Sequence, residues 1–196
     1  MHISESSHLI VAITISIMSR STCHIGIAFY THPSFPTQWA LVLSESPVFD
    51  GPVWCSTAIE TVNGWGASWS PCDWSPAGFN PMALFSGVVH VAQAAMPTNH
   101  MQALISRSNV ASELDRFRVQ GTGDIPYGTD KYAVLALLRL CEGRHISLPN
   151  LDPSGLANFI RGRVHDLQRA QRPQGGNVYP VVSLGNGNVS FGRLRC

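Results

Sequence analysis

Short apolar runs, each bounded by Pro, Gly, Ser or charged residues, fill the first half of the chain. Runs of this length are typical of buried β-strands. Each run follows the previous one after a short turn or a loop, so we expect the strands to pair as an antiparallel sheet. Turns are predicted at 31–36, which contains two prolines, and at Asn63-Gly64. The pattern predicts strands at 23–30, 38–44, 53–62, 65–69 and 84–91.

In the second half of the chain, apolar residues recur at helical spacing. This pattern predicts a helix over 98–106, a second that begins at Asp130 and ends at Gly143, and a third opened by Asp152-Pro153. Strands followed by helices are typical of an α+β domain. The sequence therefore predicts an α+β fold, an antiparallel sheet of about five strands with two or three helices packed on one face.

The length of 196 residues suits a single domain with a substantial core. The predicted elements place that domain at 18–171. Residues 1–17 are expected to be a poorly ordered extension with Met18 as an alternative start, and the other interpretations are an extra edge strand or a signal peptide. A C-terminal tail is expected at 172–196, with one edge strand at 178–184.

Composition limits the classes of partner. Hydrophobic residues make up 44% of the chain, charged residues 13%, and the net charge is +1. A chain without excess positive charge offers no attractive field for nucleic acid, so the expected partner is a small molecule or a protein. The apolar run Leu9–Ile17 is much shorter than the roughly 20 residues that cross a bilayer, so no membrane span is predicted.

Cysteine usage indicates a reducing environment. The number of cysteines is odd, and no two of them form a CxxC pair. Disulfide frameworks favour even counts in short secreted chains, so the cysteines are predicted to be reduced thiols in a cytoplasmic protein. A secreted protein with a Cys55–Cys72 bridge is the alternative. The cysteines are Cys23, Cys55, Cys72, Cys141 and Cys196.

Metal and cofactor sites are not predicted. The histidines do not occur in pairs at the spacings that metal ligands use, and Cys23-His24 face opposite sides of a strand. The loop at 121–124 has two glycines but lacks the Lys-Ser/Thr of a phosphate-binding loop.

Tryptophan is concentrated in one hairpin and its following loop. A large rigid indole binds ligands at low entropy cost, so this density predicts a ligand groove or a protein-binding patch. The alternative interpretation is that these rings simply cover one open face of the sheet. The predicted ligand-binding residues are Trp39, Trp54, Trp65, Trp69 and Trp74.

The order of several short motifs between Met18 and Gln171 resembles an uncharacterised family of basidiomycete fungal proteins. That family has a His-Trp-Ala-Leu strand and a helix that opens with Asn-Cys, and it is distantly similar to circularly permuted, NlpC-type papain-like proteins. The matching pieces here are Gln38-Trp39-Ala40-Leu41, Trp54-Cys55, Trp69, Lys131-Tyr132-Ala133 and Leu156–Leu167.

This resemblance implies a papain-like topology, in which a His on an early strand activates a Cys at the start of a helix. Here Gln38 stands at the His position and Ala133 at the Cys position. Neither side chain can perform its step, so the resemblance implies a noncatalytic binding or accessory protein. The alternative is a cysteine-dependent hydrolase or acyltransferase in which Cys55 is the nucleophile and His90 the base.

Overall fold

The computed structural model describes residues 21–32, 34–74, 84–114, 129–170 and 177–194, with only the backbone at 35, 36 and 60. The described part of the chain contains seven strands and three α-helices, so the α+β class is confirmed. The strands are β1 Cys23–His32, β2 Phe35–Ser44, β3 Val53–Thr61, β4 Gly64–Pro71, β5 Leu84–Ala94, β6 Val178–Ser183 and β7 Val189–Arg193. The helices are α1 Thr98–Arg107, α2 Thr129–Glu142 and α3 Pro153–Arg169.

One sheet contains all these strands, in the order β4-β3-β2-β1-β5-β6-β7. Neighbouring strands are antiparallel except β5 and β6, which are parallel. The prediction of a five-stranded antiparallel sheet is therefore wrong in strand number and in direction. The parallel pair follows from the connection between β5 and β6, which is long enough to include all three helices and cross over the sheet.

Strand β1 lies at the centre of the sheet, between β2 and β5. Its residues from Cys23 to Tyr30 are all buried. A strand that is covered on both faces needs an apolar run rather than an alternating pattern. The run His24-Ile-Gly-Ile-Ala-Phe29 satisfies this, with one polar exception at His24.

Two predicted turns differ from the structure. The β1–β2 hairpin continues to the pair His32–Phe35, and Pro36 lies within β2. Strand β3 pairs with β2 only from Leu41 onward. Pro36 therefore lies in a part of β2 that does not pair with β3, and the N–H that proline lacks is not needed for that pairing. In the β3–β4 hairpin Thr61 pairs with Gly64, so the turn residues are Val62-Asn63 rather than Asn63-Gly64. Gly64 has φ 110°, which favours glycine there.

Apolar side chains from all three helices join a core on one face of the sheet. The helix starts agree closely with the sequence: α2 begins one residue before Asp130, and Asp152 caps α3 by accepting the Gly155 N–H at 2.7 Å. None of the helices in the described ranges is long and apolar enough to span a membrane.

Loops and a second set of apolar residues cover the opposite face. Phe49 packs over Gly26, where an added Cβ would lie 2.7 Å from the Phe49 Cζ atom. The Tyr179 hydroxyl of β6 donates to the Phe49 carbonyl oxygen. The segment predicted as a tail therefore contributes to both faces, because Val182 packs on the helix side while Tyr179 packs on the other.

Candidate functional site

Cys55 lies on the face of the sheet that the helices do not cover. On β3, Ser56 and Ala58 point towards the helices: the Ser56 hydroxyl lies 2.9 Å from the Tyr132 hydroxyl of α2. Successive strand residues alternate between faces, so Val53 and Cys55 point the other way. Cys55 is half-buried, and its Sγ lies 3.5 Å from the Ser70 hydroxyl oxygen on β4.

Cys72 follows directly after β4 and joins the same face. Its backbone N–H donates to the Val53 carbonyl oxygen at 2.8 Å, which extends the hairpin by one residue. Cys72 is the diagonal neighbour of Cys55 on this face, and both cysteines pack against the apolar cluster that contains Tyr30. Two thiols and a phenol therefore lie together on this face.

The environments of the two thiols differ. Interaction with the Cys72 thiol lowers the pKa of Cys55, despite partial burial. The hydrogen bond to Ser70 acts in the same direction. The interaction between the thiols raises the pKa of Cys72, and burial raises it further. Burial also raises the pKa of the Tyr30 phenol well above its usual value.

An aromatic cluster lies beside the thiols. The Trp74 ring stacks on Phe85 with ring centroids 4.6 Å apart and lies 4.8 Å from the Tyr179 ring. Phe85 also contacts Tyr30 at 5.6 Å. Trp74 has φ 60°, a left-handed conformation that a bulky residue rarely adopts, so its packing holds the backbone in this position.

A cavity of about 200 Å³ opens between the start of β3, the end of β4 and β7. Two tryptophans, Cys72 and two charged residues are among its lining residues. On β3 the Trp54 side chain points towards the helices, as those of Ser56 and Ala58 do, so the indole on the thiol face is that of Trp74. Both charged residues, Asp73 and Arg193, are exposed. The lining residues are Gly51, Pro52, Val53, Trp54, Pro71, Cys72, Asp73, Trp74 and Arg193.

The five predicted tryptophans do not form one surface. Trp54 and Trp74 line the cavity, whereas Trp65 and Trp69 pack against the helix-side core. Trp39 is buried within that core with 1% of its surface exposed. Two of the five tryptophans therefore line the cavity, and the other three lie within or against the helix-side core.

The alternative pair Cys55 and His90 is not brought together. Both lie on the same row across the sheet, which runs from Cys55 through Val42 and Gly26 to His90. Three strand spacings separate the two residues by about 14 Å, too far for proton transfer. The His90 Nε2 atom instead lies 3.2 Å from the Nδ1 atom of His24.

Gln38 and Ala133 are not brought together either. Ala133 belongs to the helix-side core, as does Trp39. Gln38 precedes Trp39 on β2, so its side chain points to the opposite face. The contact between β2 and the start of α2 is made instead by the Trp39 backbone N–H, which donates to the Thr129 hydroxyl at 3.2 Å.

Within the described ranges, no group of three or more His, Cys, Asp or Glu side chains could hold a metal ion. Sequence reasoning did not identify Tyr30, Tyr179 or Arg193 as neighbours of the hairpin. No local signal marks them, because they come from β1, β6 and β7 and reach this site only through strand pairing and packing. Comparison with known proteins finds no protein-family model, no curated protein and no solved structure that matches this chain.

Proposed function

We propose that this protein is a noncatalytic binding protein whose ligand is a small planar molecule that packs against Trp74. The observation that carries the proposal is the cavity beside Trp74, the tryptophan of the loop after β4 that belongs to the aromatic cluster on this face. Its volume of about 200 Å³ is below the roughly 300–1,000 Å³ of pockets that enclose drug-sized ligands. A ligand with a single or fused aromatic ring suits both the volume of the cavity and its aromatic lining.

The charged residues at the opening define the polar part of the ligand. Arg193 offers a guanidinium that can pair with a carboxylate, while Asp73 can pair with an amine. A noncatalytic role is favoured because Cys55 and His90, the alternative nucleophile and base, lie about 14 Å apart, too far for proton transfer. Kinship with the fungal family, a papain-like topology and a cytoplasmic location remain proposals that are compatible with this function.

The test uses three probes that share an indole ring and differ in charge: indole, indole-3-acetate and tryptamine. Binding is measured by isothermal titration calorimetry, supported by saturation-transfer NMR. We expect at least one probe to bind, and Trp74→Ala to weaken that binding at least about tenfold, the scale on which interface indoles act. Arg193→Gln is expected to weaken indole-3-acetate selectively.

Trp65→Ala is the matched control, since Trp65 is on the same hairpin but packs away from the cavity. Equal weakening in Trp65→Ala and Trp74→Ala would place the ligand elsewhere. No binding by any probe at millimolar concentration would overturn the proposal.

A further inference from the structure

Cys55 and Cys72 lie close together on the loop-covered face, and the proposed binding of a planar ligand does not use the chemistry of their thiols. The cross-strand register places Cys55 opposite Ser70, so Cys72 is its diagonal neighbour two residues further along. Diagonal neighbours on one face are within reach of each other's side chains. The pair is therefore arranged for chemistry between the two sulfur atoms.

We propose that Cys55 and Cys72 form a reversible thiol–disulfide redox pair, in which a hydroperoxide oxidises Cys55 and Cys72 resolves the product. In the first step the Cys55 thiolate attacks one peroxide oxygen, the O–O bond breaks, and hydroxide or alkoxide leaves with the electron pair. Cys55 becomes a sulfenic acid. The Cys72 sulfur then attacks the Cys55 sulfur, water leaves, and the disulfide forms. The peroxide is reduced by two electrons and the two thiols are oxidised.

The two roles follow from the environment of each sulfur. Cys55 is half-buried at the hairpin surface, and its hydrogen bond to Ser70 and its interaction with Cys72 lower its pKa, which favours the thiolate. Cys72 keeps its proton until Cys55 has reacted, because its pKa is raised. The other described cysteines differ: Cys23 is fully buried with its pKa raised to about 11, and burial raises the pKa of Cys141.

Reversibility follows from the diagonal geometry. Diagonal Cα atoms are typically about 7–8 Å apart, beyond the usual disulfide range of about 4.4–6.8 Å. Forming the bond therefore draws Cys72 towards β3, and a strained disulfide is more easily reduced. Cys72 is held to β3 by the hydrogen bond of its N–H to the Val53 carbonyl oxygen, so the disulfide bond requires a shift at the end of the hairpin. Because Cys72 lines the cavity, this shift changes the cavity wall.

The experiment treats the full chain carrying Cys196→Ser, since Cys196 lies outside the described residues, with one equivalent of hydrogen peroxide. After alkylation of remaining thiols, intact mass and peptide mapping identify the products. We expect loss of two hydrogen atoms, a peptide that joins Cys55 to Cys72, and recovery with dithiothreitol. No mass loss, or a disulfide that involves Cys23 or Cys141, would overturn the proposal.

Two single variants assign the roles. In Cys72→Ala we expect a sulfenic acid that stays on Cys55 and is captured by dimedone. In Cys55→Ala we expect no oxidation at equal peroxide. Alkylation of Cys55 at pH 7 should be roughly tenfold slower in Cys72→Ala, because the interaction that lowers the pKa of Cys55 is lost. If dimedone labels Cys72 in the Cys55→Ala variant and does not label Cys55 in the Cys72→Ala variant, the assigned roles are wrong. No ligand is present in these measurements, so their outcome is independent of the indole-binding test.

Discussion

The imidazoles of His24 and His90 contact each other on the loop-covered face. The His24 Nδ1 and His90 Nε2 atoms are 3.2 Å apart, so one nitrogen donates and the other accepts. Two protons on the pair would place two N–H groups against each other. Burial lowers the pKa of both residues, and for His90 a charge on His24 lowers it further. The Phe49 ring covers His90 at 5.9 Å.

This pair predicts that the fold loses stability in mild acid. Above the ordinary histidine pKa of about 6.5, both residues are neutral in the folded and unfolded chain. As pH falls below that value, the two histidines become protonated in the unfolded chain but stay neutral in the folded protein, because their pKa values there are lowered. The free energy of unfolding then decreases by up to about 1.4 kcal/mol per pH unit per histidine, until the lowered folded pKa is reached.

Urea unfolding between about pH 7.5 and pH 5 measures this slope, and the double variant His24→Gln/His90→Gln is the control. We expect the slope to be shallower in the double variant. Equal slopes in the two proteins would contradict the assignment of the pH dependence to this pair.

At the scale of secondary-structure elements, one ion pair joins α3 to the start of α2. The Arg161 guanidinium of α3 lies 2.8 Å from the Asp130 carboxylate, which is 1% exposed. The same guanidinium lies over the Trp39 ring of β2 at 5.6 Å from its centroid. Asp130 is in the first turn of α2, where the helix dipole favours negative charge. Three elements therefore meet at one buried carboxylate.

Arg161→Met should lower the free energy of unfolding by about 1–3 kcal/mol, because it leaves a charge buried without its cation. The lower part of the range allows for the 28% exposure of Arg161. Denaturant unfolding measures the loss. In an Asp130→Asn background the same substitution should cost clearly less, since no buried charge is left behind. An equal cost in both backgrounds would show that only packing is lost.

At the scale of the whole molecule, the sheet is completed by strands that are far apart in sequence. Strand β6 pairs with β5 across the segment that contains all three helices. It contributes Val182 to the helix-side core and Tyr179 to the opposite one. Gly87 of β5 packs closely against β6: an added Cβ would lie 2.5 Å from the Pro180 carbonyl oxygen. Both cores therefore depend on β6.

A chain that ends at residue 176 tests whether the last segment is a dispensable tail. We expect this truncation to lose cooperative thermal unfolding and near-ultraviolet circular dichroism, because both cores are opened along β5. The matched control removes only residues 195–196 and should retain both signals. Cooperative unfolding of the longer truncation, within a few degrees of the full chain, would show that β6 and β7 are accessory.

Much of the element list was predictable, because the signals are local. The cap at Asp152, the prolines and glycines that bound the strands, and the helical stripe of α2 all act within a few residues. The candidate site was predictable only in part. The tryptophan-rich hairpin was identified, but Trp39 and Trp65 could not be assigned to the helix-side core, because a tryptophan covering a sheet and one lining a cavity have the same sequence signature.

The sequence by itself determined the α+β class, the three helices and the approximate positions of β1 to β6, since hydrophobic periodicity and capping are properties of neighbouring residues. Only the tertiary structure decided that β5 pairs with β1, that β6 is parallel to it, and that Cys55 meets Cys72 rather than His90. Strand pairing joins residues that are distant in the chain, and a register shift of one residue moves a side chain to the other face. Strand pairing therefore decides which thiol, imidazole and indole side chains lie together on one surface.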